Sequence, residues 1–269
     1  NDLKDKVPEV LNFEEIEEKT KNIPDDDPYK IVMKQEIARY NKLLVTLEAS
    51  LKNLLDGIKG RILISEDLEK IMESLYESKV PRAWKFAYPS LKPLNSWIVD
   101  LNARVKEFKD WAFKGTPMVF WISSFTYPKG FLTAILQQTA RKLPKVSIDM
   151  LGLDFYFLNV DNTTKAAPEG VYVHGLYLEG AKWDWNKSIL LDADAMTLHH
   201  KMPVMHFRPI ITEGKKQKKG QSYYSCPTYM YPVRGDASFV LYVNLPCGTL
   251  TDPSFWVKRG TALLMSLSE

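Results

Sequence analysis

Residues 170–211 read GVYVHGLYLEGAKWDWNKSILLDADAMTLHHKMPVMHFRPII, and the fold of the protein turns on how this stretch is read. Val171 to Leu178 is apolar at both alternating phases, which predicts a strand covered on both faces. Gly175 interrupts that run, and a glycine inside a strand marks a bulge or a close backbone approach. Gly180 ends it. Trp183 and Trp185 follow two residues apart; on an extended backbone they project to one side and predict a single wide aromatic surface. Asp184, beside Trp183, reads as a turn acceptor. A second apolar run, Pro203 to Ile211, lies beyond a polar connection. No catalytic triad, phosphate loop or metal box falls in the stretch.

Outward from it, toward the C-terminus, SYYSCPTYMYP, SFVLYVNL and WVKRGTALLMSL read as strands. Arg234 and Gly235 read as a turn between them, and Lys258, Arg259 and Gly260 as a charged strand edge that discourages edge pairing. Toward the N-terminus, LDFYFLNV and VSID are expected as strands as far back as Pro144. Before that the period changes to helical. Phe131, Leu132, Ile135, Leu136 and Thr139 mark a helix after Pro128 and Gly130. Another is predicted from about Leu94 to Lys114, with Trp97, Leu101, Val105, Phe108 and Trp111 on one side and Gly115 after it. MVFWISSF, 118–125, fits a buried strand or a helical turn equally, because a short apolar run carries no decisive period.

Further back, PRAWKFAYPSLKP predicts an irregular but packed connection, since Trp84, Phe86 and Tyr88 would not be left in water. Ser65 caps a helix that buries Leu68, Ile71, Met72 and Leu75 and ends before Pro81. Asp27 and Pro28 start a long amphipathic helix on Ile31, Ile37, Tyr40, Leu44, Leu47, Leu51, Leu54 and Leu55, with Gly57 and Gly60 as its stop. It reads as a packed bundle element rather than a coiled coil. Residues 1–20 are charged and fit a short or a frayed helix. The coarse division falls near Lys145. The predicted fold class is therefore α+β, an N-terminal α-helical part followed by a mostly antiparallel β sheet or partial barrel.

Composition bounds the rest. A sequence of 269 residues, 45% apolar and 12% aromatic, is a folded globular protein with one large domain or two small ones. Net charge of +3 supplies no strong pull toward nucleic acid or a membrane surface. No apolar run spans a bilayer and no signal-peptide pattern opens the sequence. Asn1 is not methionine, so a piece of something longer is expected. Cys226 and Cys247 do not make a disulfide scaffold, and reduced thiols of a cytosolic protein are the simpler reading.

Chemistry-bearing residues are few. GKKQKKG at 214–220 lacks the glycine-lysine-serine/threonine order of a phosphate cradle and reads as a mobile basic hairpin tip. Lys215, Lys216, Lys218 and Lys219 could still attract an acidic surface. His174, His199, His200, His206, Cys226 and Cys247 show none of the usual zinc spacings, and no cofactor is expected. Carboxylates Glu179, Asp184, Asp192 and Asp194 read as local hydrogen-bond acceptors. Nothing here reads as an enzyme.

HGLYLEGAKWD, MPVMHF, YSCPTY and WVKRGTALL, with EIARYNKLL, YPSLKPLNSW and PKGFLTAILQQTARK upstream, occur in an order that resembles the C-terminal region of dynein heavy chains, the axonemal members above all. The resemblance covers nearly the whole sequence. It implies that residues 1–80 form part of the small portion of the sixth AAA+ module, with 81–144 and 145–269 the helical and β parts of the dynein C-terminal domain. It further implies a non-catalytic structural and regulatory role, packing on the AAA+ ring of a microtubule motor in the axoneme of a cilium or flagellum. The implied partners are the ring modules of the same heavy chain, other dynein subunits and, through the parent motor, microtubules. Structural or docking residues expected from the motifs are His174, Gly175, Leu176, Leu178, Glu179, Gly180, Trp183, Trp185, Pro203 and Trp256, with Trp183 expected in the core. The competing reading is a β module that recruits a protein or ligand through its aromatic surface and basic loop; a small aromatic pocket rather than a broad apolar face would favour it.

Overall fold

The structure is a computed structural model that describes residues 3–212, 222–248 and 252–268. It divides into a helical unit, Asn1–Thr116 with Ser124–Tyr127 and Leu267–Glu269, and a strand unit, Pro117–Ser123 with Pro128–Ser266. The basic segment 214–220 lies outside the described residues.

In the helical unit, α1 (Phe13–Thr20) follows an Asn12 cap, and α2 (Pro28–Ile58) follows Asp27, whose carboxylate accepts the Tyr29 and Lys30 N–H groups at 2.9 Å. Ile37, Tyr40, Leu44 and Leu47 are fully buried along one stripe of α2. Gly57 does not stop the helix but lies in its last turn. A Cβ there would stand 3.0 Å from Ile64 Cγ1, so the glycine admits the start of the next element. The stop is Gly60, at φ +68°, its N–H on the Gly57 carbonyl at 2.9 Å. Ser65 caps α3 (Glu66–Tyr76) by accepting the Leu68 N–H at 3.3 Å. In the irregular connection that follows, Trp84 and Tyr88 are buried, while Phe86 is half in water under the Lys42 ammonium, 5.6 Å away. An ammonium over its face makes that exposure tolerable. Then α4 (Leu94–Lys114) closes the unit's core, with Trp97 stacked on Trp84 and Tyr88 and with Phe108 against Tyr40.

Charge is buried here too. Glu36 accepts from the Thr126 N–H at 2.7 Å, the Thr126 hydroxyl at 2.6 Å and the Tyr127 N–H at 3.0 Å, with Arg39 at 2.8 Å. The Tyr40 hydroxyl donates to the Ser124 carbonyl. Arg104 is buried with Asp100 at 2.6 Å and the Tyr88 ring beneath its guanidinium at 4.3 Å. Each buried charge has the partners that burial demands.

The ambiguous 118–125 segment is both things in turn: β1 (Val119–Trp121), in the strand unit, and then a single 3₁₀ turn, Ile122–Ser124. After it α5 (Pro128–Ala140) packs on strands. The expected strand at VSID is instead a 3₁₀ turn, Ile148–Met150, because four residues of alternating pattern cannot outweigh a backbone turning into the next strand. The remaining elements are β2 (Leu151–Phe157), β3 (Val171–His174), β4 (Tyr177–Glu179), β5 (Lys182–Asp184), β6 (Ile189–Leu191), β7 (His199–Lys201), β8 (Met205–Ile211), β9 (Ser222–Tyr229), β10 (Phe239–Gly248), α6 (Pro253–Lys258) and β11 (Ala262–Leu264). The expected strand through WVKRG is thus a short helix and a turn. Asp252 accepts the Ser254 N–H at 2.9 Å and Pro253 opens the helix, so Lys258 and Arg259 end a helix rather than guard a strand edge.

Among the described residues the strands form a four-stranded sheet, β1-β3-β8-β2, a five-stranded sheet, β10-β9-β11-β4-β7, and the β5-β6 hairpin. Both larger sheets are mixed: β1 runs parallel to β3 and β11 parallel to β9, and the other pairs are antiparallel. Neither closes on itself, so the fold is α+β with open sheets and not a barrel.

Candidate docking site

His174 to Gly180 and Pro203, among the expected structural or docking residues, lie where the backbone passes between the two large sheets. What reads as one strand, Val171 to Leu178, is two: β3 belongs to the four-stranded sheet and β4 to the five-stranded one. Gly175 makes the transfer. Its φ is +91°, and a Cβ would stand 2.4 Å from the Trp121 ring, so no larger residue fits. The Ser123 hydroxyl lies 2.9 Å from the Gly175 carbonyl and also bonds the Met265 carbonyl. The backbone returns through Met202, Pro203 and Val204, all buried, between β7 and β8. The two crossings are tied together, because Met202 N–H donates to the Leu176 carbonyl at 2.9 Å. Val204 exchanges backbone bonds with Val160 and Leu158 at 2.9 and 3.0 Å, satisfying the backbone where it leaves both ladders.

Leu176 and Leu178 are buried beside the first crossing. His174 is half-buried; desolvation, reinforced by the Lys201 ammonium, lowers its pKa, so the ring is neutral at neutral pH. Glu179 ends β4 and accepts from Arg234 at 3.1 Å, with His199 Nε2 at 4.0 Å. Arg234 also donates to the Gly260 carbonyl at 2.6 Å. Gly180, at φ +76°, brings that turn against the Arg259 carbonyl, 3.0 Å from where a Cβ would be.

Trp183 and Trp185 do not make one aromatic surface. Trp183 is buried in β5 against Phe157, centroids 4.2 Å apart, and its Nε1 donates to Asn159 Oδ1 at 3.0 Å. Trp185 has left the strand for a turn in which Asp184 Oδ1 accepts the Asn186 and Lys187 N–H groups at 2.9 and 3.0 Å. A strand that ends at residue 184 breaks the period that would have aligned the rings. Trp256 is buried in α6. Burial raises the pKa of both Cys247 and Cys226, so both thiols stay protonated. Five of the ten expected residues, Leu176, Leu178, Trp183, Pro203 and Trp256, therefore build the interior of the strand unit, while His174, Gly175, Glu179, Gly180 and Trp185 keep part of their surface in water.

The family model for the C-terminal domain of dynein heavy chains matches residues 1–265. The protein belongs to that dynein family. It is 46% identical over 275 residues to the dynein-1-beta heavy chain of the flagellar inner arm I1 complex of Chlamydomonas reinhardtii, an alignment that takes in 99% of this sequence and 6% of that one. It is 45% identical over 273 residues to human dynein axonemal heavy chain 2, with 99% and 6% covered, and 37% identical over 273 residues to human dynein axonemal heavy chain 1, with 97% and 6% covered. The sequence thus spans about 6% of the length of these relatives.

For this dynein C-terminal domain, the HGLYLEG and MPVMHF motifs are the two crossings that join its sheets. Among the described residues no group of three or more histidine, cysteine, aspartate or glutamate side chains could hold a metal ion. The Asp–Pro at 252–253 was the missed signal: it repeats the Asp27–Pro28 start of α2 and marks α6 in the same way.

Proposed function

We propose that this domain is a non-catalytic structural and regulatory module of an axonemal dynein heavy chain. It packs on the AAA+ ring of the same motor polypeptide and modulates the mechanics of a microtubule motor in the axoneme of a cilium or flagellum. The carrying observation is the match to a flagellar inner-arm heavy chain across 99% of the residues at 46% identity. In this reading residues 1–80 are helices of the small portion of the sixth ring module, and residues 81–144 and 145–269 are the helical and β parts of the C-terminal domain. Other dynein subunits, and microtubules through the parent motor, are its further partners. It needs no cofactor of its own, because ATP hydrolysis requires a phosphate cradle, a magnesium ligand and a positioned water together, and the 269 residues contain no such cradle sequence. A module laid across ring elements acts by changing the free-energy gap between ring conformations. Deleting residues from Lys145 onward in a complete motor is expected to change run length or stall force more than basal ATPase rate. Unchanged mechanics, or saturable Mg-ATP binding by residues 1–269 in calorimetry, would overturn the reading.

A further inference from the structure

In the helical unit a run of neighbouring apolar residues is left in water. Ile62, Leu63 and Ile64 form an exposed consecutive run, Leu63 at 96% of its full accessibility, and Ile58 just before them is 68% exposed. Three exposed apolar residues in a row are a liability unless something covers them. Ile64 and Leu68 both close on Gly57, which sets this run against the first turn of α3. Helix α3 is strongly two-sided in sequence, yet of its apolar residues only Leu68 is buried; Met72 is exposed and Tyr76 is 93% exposed. Carboxylates outnumber cations on this face: exposed Lys59 and Arg61 stand between Ile58 and Ile62, but Arg61 is paired with Asp56 at 3.2 Å. Glu69 and Glu73, both exposed, stand three positions before Met72 and Tyr76 and so flank them on the helix surface. Exposed Asp67 stands four positions before Ile71, and the one ammonium of the helix, Lys70, is paired with Glu66 at 2.6 Å.

We propose that this face of residues 58–76 is a docking site for a basic amphipathic helix, whose apolar side covers Leu63, Met72 and Tyr76 and whose lysines or arginines meet Asp67, Glu69 and Glu73. Apolar anchors at helical spacing beside carboxylates are what such a helix reads. A second copy of the protein fits poorly, because a two-fold contact through the same patch would set carboxylates against carboxylates. The inference stands apart from the proposed motor role, and either can fail without the other.

The test uses the whole 269-residue protein and a synthetic leucine-lysine amphipathic helix as probe, with a leucine-glutamate helix of the same pattern as control. Fluorescence anisotropy should show saturable one-to-one binding of the basic helix and none of the acidic one. The double variants Leu63→Ser with Tyr76→Ser, and Glu69→Lys with Glu73→Lys, should each weaken binding by about tenfold or more while leaving the melting curve in place, since these side chains are exposed. Equal binding of both peptides, or affinity for the basic helix that neither variant changes, would overturn the proposal. So would a concentration-dependent dimer that Leu63→Ser with Tyr76→Ser abolishes, which would make a second copy the occupant.

Discussion

In the helical unit, residues 124–127 are held by a buried carboxylate: Glu36 takes three hydrogen bonds from Thr126 and Tyr127 at 2.6 to 3.0 Å. In the strand unit, the crossing at Gly175 is held by the opposite means, a residue with no side chain, pressed against the Trp121 ring and closed by backbone bonds. One joint depends on having a particular functional group, the other on lacking any. The first can be weakened by degrees, because a substitute can keep some hydrogen bonds. The second tolerates almost nothing, because both its space and its φ exclude a Cβ.

That contrast orders the tests. Gly175→Val should have the largest effect, about 4 kcal/mol or more in urea unfolding, since it adds backbone strain to a steric clash at 2.4 Å. A loss below about 1 kcal/mol would show that the crossing is plastic and that the two joints do not differ in kind. Glu36→Ala should cost about 3–5 kcal/mol by leaving buried N–H groups without an acceptor, and Glu36→Gln distinctly less because one carbonyl oxygen remains. Equal losses for the two variants would break the idea that this joint weakens by degrees.

Smaller effects sharpen the picture within the strand unit. Trp183→Phe keeps most of the packing on Phe157 but loses the bond to Asn159, an expected cost of about 1 kcal/mol, against about 3–5 kcal/mol for Trp183→Ala. An unchanged urea midpoint for Trp183→Ala would place the ring at the surface. The smallest effect concerns pH. His174 binds its proton less readily folded than unfolded, because burial and Lys201 disfavour the imidazolium. The unfolded state therefore takes up the proton first as pH falls below about 6.5, and stability declines from there until the folded ring is also protonated. His174→Gln should flatten that part of the acid limb and change nothing above neutral pH. A slope that persists in His174→Gln would assign it to another group.

Helices were the legible part of this protein, and for a reason that particular residues display. The α2 stripe repeats through Ile37, Tyr40, Leu44, Leu47 and Leu51, several turns of one signal, and Asp27 with Pro28 marks its start by local chemistry alone. The same Asp–Pro cue at 252–253 went unread because α6 is only six residues long and buries a single large side chain, Trp256, too little for a period. Of the candidate site, Gly175 was legible as a close backbone approach, but what it approaches was not. Trp121 lies fifty-four positions earlier in the sequence, and only folding brings it there.

What the sequence by itself determined, then, was everything that depends on neighbours along the backbone: helix starts at Asp27 and Ser65, the α+β division, the turn at Asp184, and membership in the dynein family through ordered motifs. Tertiary structure alone decided that Val171 to Leu178 is shared between two sheets, that Trp185 turns away from Trp183, and that Leu63 and Tyr76 stay in water. Each of those outcomes depends on which distant surface reaches a residue first. A local pattern states that a side chain is apolar, but burial is a property of the pair that meets, and the second member of the pair is supplied by the fold.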